Sequence, residues 1–300
     1  MPKKLVSIED ISKHDINKLF EIANTKKQIY SSYANALNDK ILGSLFFQPS
    51  TRTQLSFQSS FVRLGGDFIG FSDINESRSG PPYFEPLDDL GKIISLYCDI
   101  VVMRTIDQTK MTDILKTISV PIISAGSGNV EHPTQALTDF FTIYKCHGDI
   151  SNNNILIIGT PRQRTINSFL IGLNNWENIN IYILCQDGIR VPSYVTEKLR
   201  KHKIQYFESI EQLMSSNVLK NISVLYMDKI FYETERHNRF VLEESQWNQF
   251  SKDMIILHPL PRTQELPIFV DKMPQANYFF QAENGLYVRS ALYLHMMDLI

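Results

Sequence analysis

Ile41-Leu42-Gly43-Ser44-Leu45-Phe46-Phe47, followed three residues on by Ser50-Thr51-Arg52-Thr53 and then by Leu55-Ser56-Phe57-Gln58-Ser59-Ser60-Phe61-Val62, decides how this chain folds. The first run is short and apolar, as in a buried strand, and the last reads as a helix. A strand that turns straight into a helix leaves backbone N–H groups unbonded at the turn, on the positive end of the helix dipole. Such a turn binds phosphate. Here three hydroxyls and a guanidinium add donors and a full positive charge, which suits a small, doubly charged phosphate. The Gly-rich sequence and Lys of a nucleotide P-loop are missing.

Outward from this stretch, strand-like and helix-like runs alternate. Strands are expected at 41–47, 67–71, 99–104, 120–125, 154–159, 180–185, 204–207, 224–227 and 254–258. Helices are expected at 8–28, 53–64, 85–97, 133–147, 164–174, 192–201 and 209–216. Ile155-Leu156-Ile157-Ile158 and Ile255-Ile256-Leu257 are unbroken apolar runs, as in strands covered on both faces. Alternating β and α elements imply an α/β protein of parallel, doubly wound sheets. After the helix that begins near Gln135, the polar turn His147-Gly148-Asp149-Ile150-Ser151-Asn152-Asn153-Asn154 leads to a new strand, so a second α/β domain opens there. In open α/β sheets ligands bind outside the carboxyl ends of the strands. Ser50, Arg104, the loop before His132, Thr160, Lys229 and His258 all stand at such ends.

The chain has 300 residues, 43% hydrophobic and 21% charged, which allows two ordinary globular domains. Its net charge of −2 provides no global field for nucleic acid or an anionic membrane, so an anionic substrate needs a local cluster of arginines. Cys98, Cys146 and Cys185 are too scattered for a disulfide framework or a zinc site and read as buried thiols in a reducing compartment. No metal or cofactor is expected. The N-terminus lacks the apolar core of a signal peptide, and no apolar run approaches the roughly 20 residues of a membrane span, so a cytoplasmic protein is expected.

Several residues suggest chemistry. Arg104 closes the run Asp99-Ile100-Val101-Val102-Met103, at the same sheet end as the phosphate-type turn. His132 precedes Pro133, which favours an extended backbone at the mouth of a helix, and Gln135 is placed to face the same spot. An imidazole and an amide there can orient a carbonyl group. Gly159-Thr160-Pro161-Arg162-Gln163-Arg164-Thr165 has too few glycines for a dinucleotide fingerprint. It sets Arg162 and Arg164 at a helix start, where a carboxylate can bind bidentately. His258-Pro259-Leu260-Pro261-Arg262 is a stiff loop able to fix backbone carbonyls as acceptors for an amine.

These residues resemble a known family. Ser50-Thr51-Arg52-Thr53, with Phe46-Phe47 before it and Arg63-Leu64-Gly65-Gly66 after it, resembles the carbamoyl-phosphate motif of the aspartate/ornithine carbamoyltransferases. His132-Pro133-Thr134-Gln135-Ala136-Leu137-Thr138-Asp139 resembles their second motif. His258-Pro259-Leu260-Pro261-Arg262 resembles the third in its aspartate-type form, since ornithine enzymes typically carry a Cys there. The tail Asn284-Gly285-Leu286-Tyr287-Val288-Arg289 is similar to the family's final helix.

The resemblance implies a carbamoyl-phosphate-binding domain over residues 1–133 plus 287–300 and an amino-acid-binding domain over 134–286, with a C-terminal helix crossing back to the first. It implies a cofactor-free homotrimer with shared active sites, acting in pyrimidine synthesis. Ser50, Thr51, Arg52 and Thr53 then hold the phosphate; Thr53, Arg104 and His132 hold the carbonyl oxygen of carbamoyl phosphate; Gln135 holds its amino group. Arg164 takes the acceptor's α-carboxylate, and the carbonyls of Leu260 and Pro261 take the nitrogen groups. Arg52, Thr53, Arg104 and His132 carry the catalytic role.

Three positions depart from the family pattern. Gln54 stands where a second Arg is usual. The loop that a neighbouring subunit inserts reads Glu76-Ser77-Arg78-Ser79-Gly80-Pro81-Pro82-Tyr83-Phe84-Glu85-Pro86, without Lys, leaving Arg78 as its cation and Ser77 or Ser79 for the phosphate. In the acceptor pocket, Asp228-Lys229-Ile230-Phe231 replaces a Thr-Arg-x-Gln pattern, so Lys229 keeps a charge but loses the bidentate fork. L-Aspartate is the expected acceptor. A different amine such as a diamino acid, and a non-catalytic carbamoyl-phosphate-binding homologue, stand as alternatives.

Overall fold

Strand sequences in this chain follow their places in the sheets. In the computed structural model, the described residues are 2–77, 85–186, 188–230 and 240–300. They form two compact units, one of Met1–Thr138 with Glu283–Ile300, the other of Asp139–Ala282.

The first unit holds strands β1 (Lys4–Leu5), β2 (Ile41–Phe46), β3 (Asp67–Phe71), β4 (Ile100–Thr105) and β5 (Ile122–Ser127), all parallel, in the order β1-β5-β4-β2-β3. β4 is flanked by β2 and β5 and is buried along its whole length, hence its β-branched, apolar sequence. β3 lies at the sheet edge and is largely exposed. Helices α1 (Lys13–Asn24), α2 (Gln28–Ser32), α3 (Thr51–Val62), α4 (Leu87–Tyr97) and α5 (Gln108–Ile114) connect the strands, and α6 (Pro133–His147) follows β5. One side of the sheet packs Leu45, Val101, Met103 and Ile122 against Leu90, Ile94, Met111 and Ile114.

In the second unit β6 (Asn154–Ile158), β7 (Asn180–Leu184), β8 (Ile204–Phe207), β9 (Val224–Met227) and β10 (Ile255–Leu257) are again all parallel, in the order β10-β9-β6-β7-β8. Helices α7 (Arg164–Gly172), α8 (Ser193–Lys198), α9 (Ile210–Met214) and α10 (Glu244–Trp247) accompany them. Its core gathers Leu156, Ile158, Leu225, Met227 and Ile256 with Phe207, Trp247, Phe250 and Tyr278. The last helix, α11 (Tyr278–Met296), passes into the first unit from Glu283 onward. There Ser60 Oγ donates to the Leu286 carbonyl at 3.0 Å, Tyr293 Oη donates to the Phe57 carbonyl at 3.2 Å, and the Tyr293 ring meets Phe57 and Phe61 edge-on. The chain's tail thus braces the helix that carries the phosphate-type turn.

All nine expected strands form, with ends within two residues of expectation. The expected helix 8–28 is broken: Ser7 caps a short turn at Ile8–Asp10, Ser12 caps α1, and the backbone reverses at Lys26 (φ 52°) before α2. β1, α5 and α10 were not anticipated. Cys98 and Cys185 are buried, whereas Cys146, expected buried, is only half-buried, since it lies on the last turn of α6. Among the described residues no helix is long and apolar enough to cross a membrane, and no group of three or more His, Cys, Asp and Glu could hold a metal ion.

Candidate active site

In the first unit the site is built from the carboxyl ends of β2, β4 and β5. Ser50 is the N-cap of α3 with extended backbone, and its hydroxyl makes no capping hydrogen bond. The helical ladder starts with the Gln54 N–H on the Ser50 carbonyl at 3.3 Å, so the N–H groups of Thr51, Arg52 and Thr53 precede it. Arg52 lies at the surface of the unit, yet desolvation of its guanidinium lowers its pKa. Thr53 points inward and is buried.

Arg104 pairs with Phe46 in the sheet and is buried. Its Nε donates to the Ala125 carbonyl at 2.9 Å, and one terminal nitrogen donates to Thr53 Oγ1 at 3.1 Å and lies 3.3 Å from His132 Nε2. The guanidinium also lies 5.7 Å from the Phe46 ring centre. The structure therefore brings Thr53, Arg104 and His132 together. A guanidinium can only donate, so His132 Nε2 accepts and the ring proton sits on Nδ1, which faces Thr134 Oγ1 at 3.4 Å. This neutral tautomer orients Arg104. Pro133 opens α6 at the position where a missing N–H costs nothing, and the Gln135 N–H closes onto the His132 carbonyl at 3.0 Å.

Sequence reasoning missed the residue that fixes this loop. Buried Glu131 accepts from Ser7 Oγ at 2.8 Å and from the Ile8 N–H at 3.0 Å, while its carbonyl accepts the Ser127 N–H at 3.1 Å. The N-terminal segment thereby locks the approach to His132. Gln54 is buried and donates to Ser72 Oγ at 3.1 Å, a packing role within the unit. Ser77 Oγ donates to the Ile74 carbonyl at 3.2 Å. Arg78 and Ser79 lie outside the described residues.

In the second unit Arg164 begins α7, while Arg162 lies just before the helix and is exposed. Desolvation lowers the Arg164 pKa, opposed by the carboxylate of Asp228. Asp228 follows β9 and is buried. Its Oδ2 accepts from Thr165 Oγ1, and its Oδ1 accepts the Lys229 N–H at 2.7 Å. Burial raises the Asp228 pKa, against the hydrogen bonds from Thr165 and the Lys229 N–H. Gly159 packs tightly here: a Cβ there would stand 3.0 Å from the Asp228 carbonyl oxygen, and the backbone would have to give way slightly. Lys229 is half-buried, and its own carbonyl accepts the Thr160 N–H at 3.2 Å. Phe231 lies outside the described residues.

The loop after β10 is held by buried polar groups that the sequence did not announce. Asp139 accepts from Tyr226 Oη at 3.0 Å and from Gln281 Nε2 at 2.6 Å; Gln281 Oε1 accepts the His258 N–H at 2.8 Å. His258 Nε2 lies 3.0 Å from Glu265 Oε1, and Nδ1 accepts the Leu260 N–H at 2.7 Å. Glu265 also accepts from the Thr263 N–H at 2.8 Å and from Thr263 Oγ1. Burial works against its charge, but the bonds from His258 and Thr263 win and hold its pKa down to about 2. Leu260 has φ 55°, and the Leu260–Pro261 peptide is cis.

Comparison with known proteins finds one family across both units. Residues 3–145 match the family described as aspartate/ornithine carbamoyltransferase, carbamoyl-P binding domain. Residues 151–296 match the one described as aspartate/ornithine carbamoyltransferase, Asp/Orn binding domain. The chain is 35% identical over 299 residues to the aspartate carbamoyltransferase catalytic subunit of Clostridium novyi, covering 97% of this chain and 96% of that one. Among solved structures it is similar to the catalytic subunit of M. jannaschii aspartate transcarbamoylase, with TM-score 0.87, 32% identity, and 99% and 98% of the two chains covered. It is also similar to aspartate transcarbamoylase from Trypanosoma cruzi in complex with carbamoyl phosphate and aspartate, with TM-score 0.85, 29% identity, and 97% and 95% covered.

Proposed function

The chain belongs to the aspartate/ornithine carbamoyltransferase family, and on that premise we propose that it transfers the carbamoyl group of carbamoyl phosphate to the amine of L-aspartate, giving N-carbamoyl-L-aspartate and phosphate. The observation that carries this reading is the buried guanidinium of Arg104, held by Ala125, Thr53 and His132 beside the first turn of α3. Ser50, Thr51, Arg52 and Thr53 bind the phosphate through N–H groups, hydroxyls and one full charge. Arg104, Thr53 and His132 act at the carbonyl oxygen, and Gln135 at the carbamoyl nitrogen. Arg164 takes the α-carboxylate of the acceptor, with Lys229 near its side chain, and the Leu260 and Pro261 carbonyls accept from nitrogen.

The amine lone pair attacks the carbonyl carbon, forming a C–N bond and a tetrahedral oxyanion. The C–O bond to phosphate then breaks, and the amine proton leaves on the phosphate. Fixed donors at the oxyanion are worth roughly 3 kcal/mol for one well-placed group, and orientation of the two substrates supplies further rate. No step calls for a cofactor.

The same reading makes the protein a cytoplasmic homotrimer of pyrimidine synthesis whose subunits share active sites through the segment containing Arg78. Supporting self-association, Phe68 and Ile69 on edge strand β3 and Leu55 and Val62 on α3 are exposed apolar side chains. Light scattering on the purified protein should give the mass of three chains.

Incubation with carbamoyl phosphate and a panel of amino acids tests the function. Phosphate release matched by N-carbamoyl product, with aspartate giving the highest kcat/KM, is expected. Preference for ornithine or another amine, or no turnover with any, contradicts it.

A further inference from the structure

His258 and Glu265 are both buried, with side-chain exposures of 0% and 1%, and they tie the two ends of the loop between them. The Leu260 N–H donates to His258 Nδ1, so that nitrogen is unprotonated and the ring proton lies on Nε2, donated to Glu265. Glu265 accepts in addition from both donors of Thr263. One carboxylate thereby fixes the tautomer of the imidazole, and the imidazole fixes the Leu260 N–H, at the Pro259–Leu260 peptide. Leu260 needs this hold, because its φ of 55° lies in the left-handed region that a leucine rarely adopts unless its surroundings impose it. The His258 bond anchors the N–H of Leu260 in that conformation, and the Leu260 carbonyl leaves from this anchored residue.

We propose that His258, oriented by Glu265, is a positioning residue that aims the Leu260 carbonyl at the substrate nitrogen. The inference rests on the reaction proposed above and adds to it the residue pair responsible for that acceptor. His258 does not touch the substrate; it acts through the Leu260 peptide.

Two substitutions separate positioning from mere packing. In His258→Asn the side-chain oxygen occupies the place of Nδ1 and keeps the Leu260 bond while losing Glu265. In His258→Gln the side-chain nitrogen occupies the place of Nε2 and keeps the Glu265 bond while losing Leu260. Both should lower Tm. The Asn variant should keep kcat within about threefold of wild type, whereas the Gln variant should lose at least about tenfold, the worth of one hydrogen bond in the transition state. KM for carbamoyl phosphate should stay at the wild-type value in both. Equal losses of kcat, or wild-type kcat in both, overturn the inference while leaving the reaction intact. Absence of turnover in the wild type overturns the reaction and the inference with it. If either variant fails to fold, Glu265→Gln and Glu265→Leu replace them, because without an acceptor at Nε2 the ring proton moves to Nδ1 and breaks the Leu260 bond. Gln still accepts the Nε2 proton and should keep kcat, Leu should lose it, and equal values again overturn the proposal.

Discussion

The turn at Ser50 and the corner at Asp228 are built on the same plan, yet their charges differ. Each lies past the carboxyl end of a buried parallel strand, beside a helix start with an arginine in or near it. In the first, Arg104 donates to the Ala125 carbonyl and Thr53 Oγ1 and faces His132 Nε2, three neutral groups that direct the buried guanidinium. In the second, Arg164 begins its helix one residue before Thr165, which bonds the buried carboxylate of Asp228, and that carboxylate favours the Arg164 charge against its desolvation. The first arrangement favours a dianionic phosphate. On the proposed roles, the second would hold a carboxylate beside a buried acid of the chain's own. If the proposed roles hold, the carbamoyl-phosphate residues carry the family's motif, while the proposed acceptor residues include one buried acid.

Four experiments test this difference. The largest effect should come from Arg104→Ala. Steady-state kinetics should show kcat lower by about 100- to 1,000-fold, the range for removing one oxyanion donor, with little change in KM for aspartate. Equal damage to aspartate binding would erase the division of labour.

The next tests the rigidity of the acceptor loop. The Glu265 pKa, ordinarily 4.5, is held at about 2 in the folded chain. A depressed carboxylate stabilises the fold above its unfolded pKa, and that contribution is lost as pH falls from 4.5 towards 2. The drop should be about 3 kcal/mol, read by urea denaturation across this window, and Glu265→Gln should flatten it.

Arg164→Ala should raise KM for aspartate by about 10- to 100-fold, as expected for a lost charge-assisted hydrogen bond. Affinity for carbamoyl phosphate should be unchanged.

The smallest effect concerns Asp228. Asp228→Asn keeps an acceptor for Thr165 but removes the charge near Arg164. It should lower KM for aspartate by about fivefold, matching about 1 kcal/mol of screened repulsion. A rise in KM would mean that the carboxylate orders Arg164 more than it opposes the substrate.

How much of this was legible in the sequence follows from the range of the signals. β2, β4, β6 and β9 are apolar runs covered on both faces, so their burial is written in consecutive residues. Ser50, Arg104 and His132 could be proposed from sequence because strand ends and a Pro-started helix mark them locally, and the structure puts Arg104 3.3 Å from His132. β1 was not found, since two residues paired to β5 give no periodicity. α5 is short, though its N-cap Asp107, accepting from the Lys110 N–H at 2.9 Å, was a signal that could have been used. The supports of the site were hidden for another reason. Glu131 meets Ser7 and Ile8 near the other end of the domain's sequence, and Asp139 meets Tyr226 and Gln281; only the folded chain makes these neighbours. Glu265 is closer to His258, but nothing in the segment Arg262-Thr263-Gln264-Glu265 distinguishes a buried acid from a surface one.

Calorimetric titration with phosphonoacetamide, a stable mimic of carbamoyl phosphate, tests the central claim that the donor half is built around the Ser50 turn. The wild-type protein and Arg164→Ala should bind it with the same Kd, and Arg52→Ala should show no measurable binding. Unchanged binding in Arg52→Ala, or loss of binding in Arg164→Ala with the fold intact, would contradict the account.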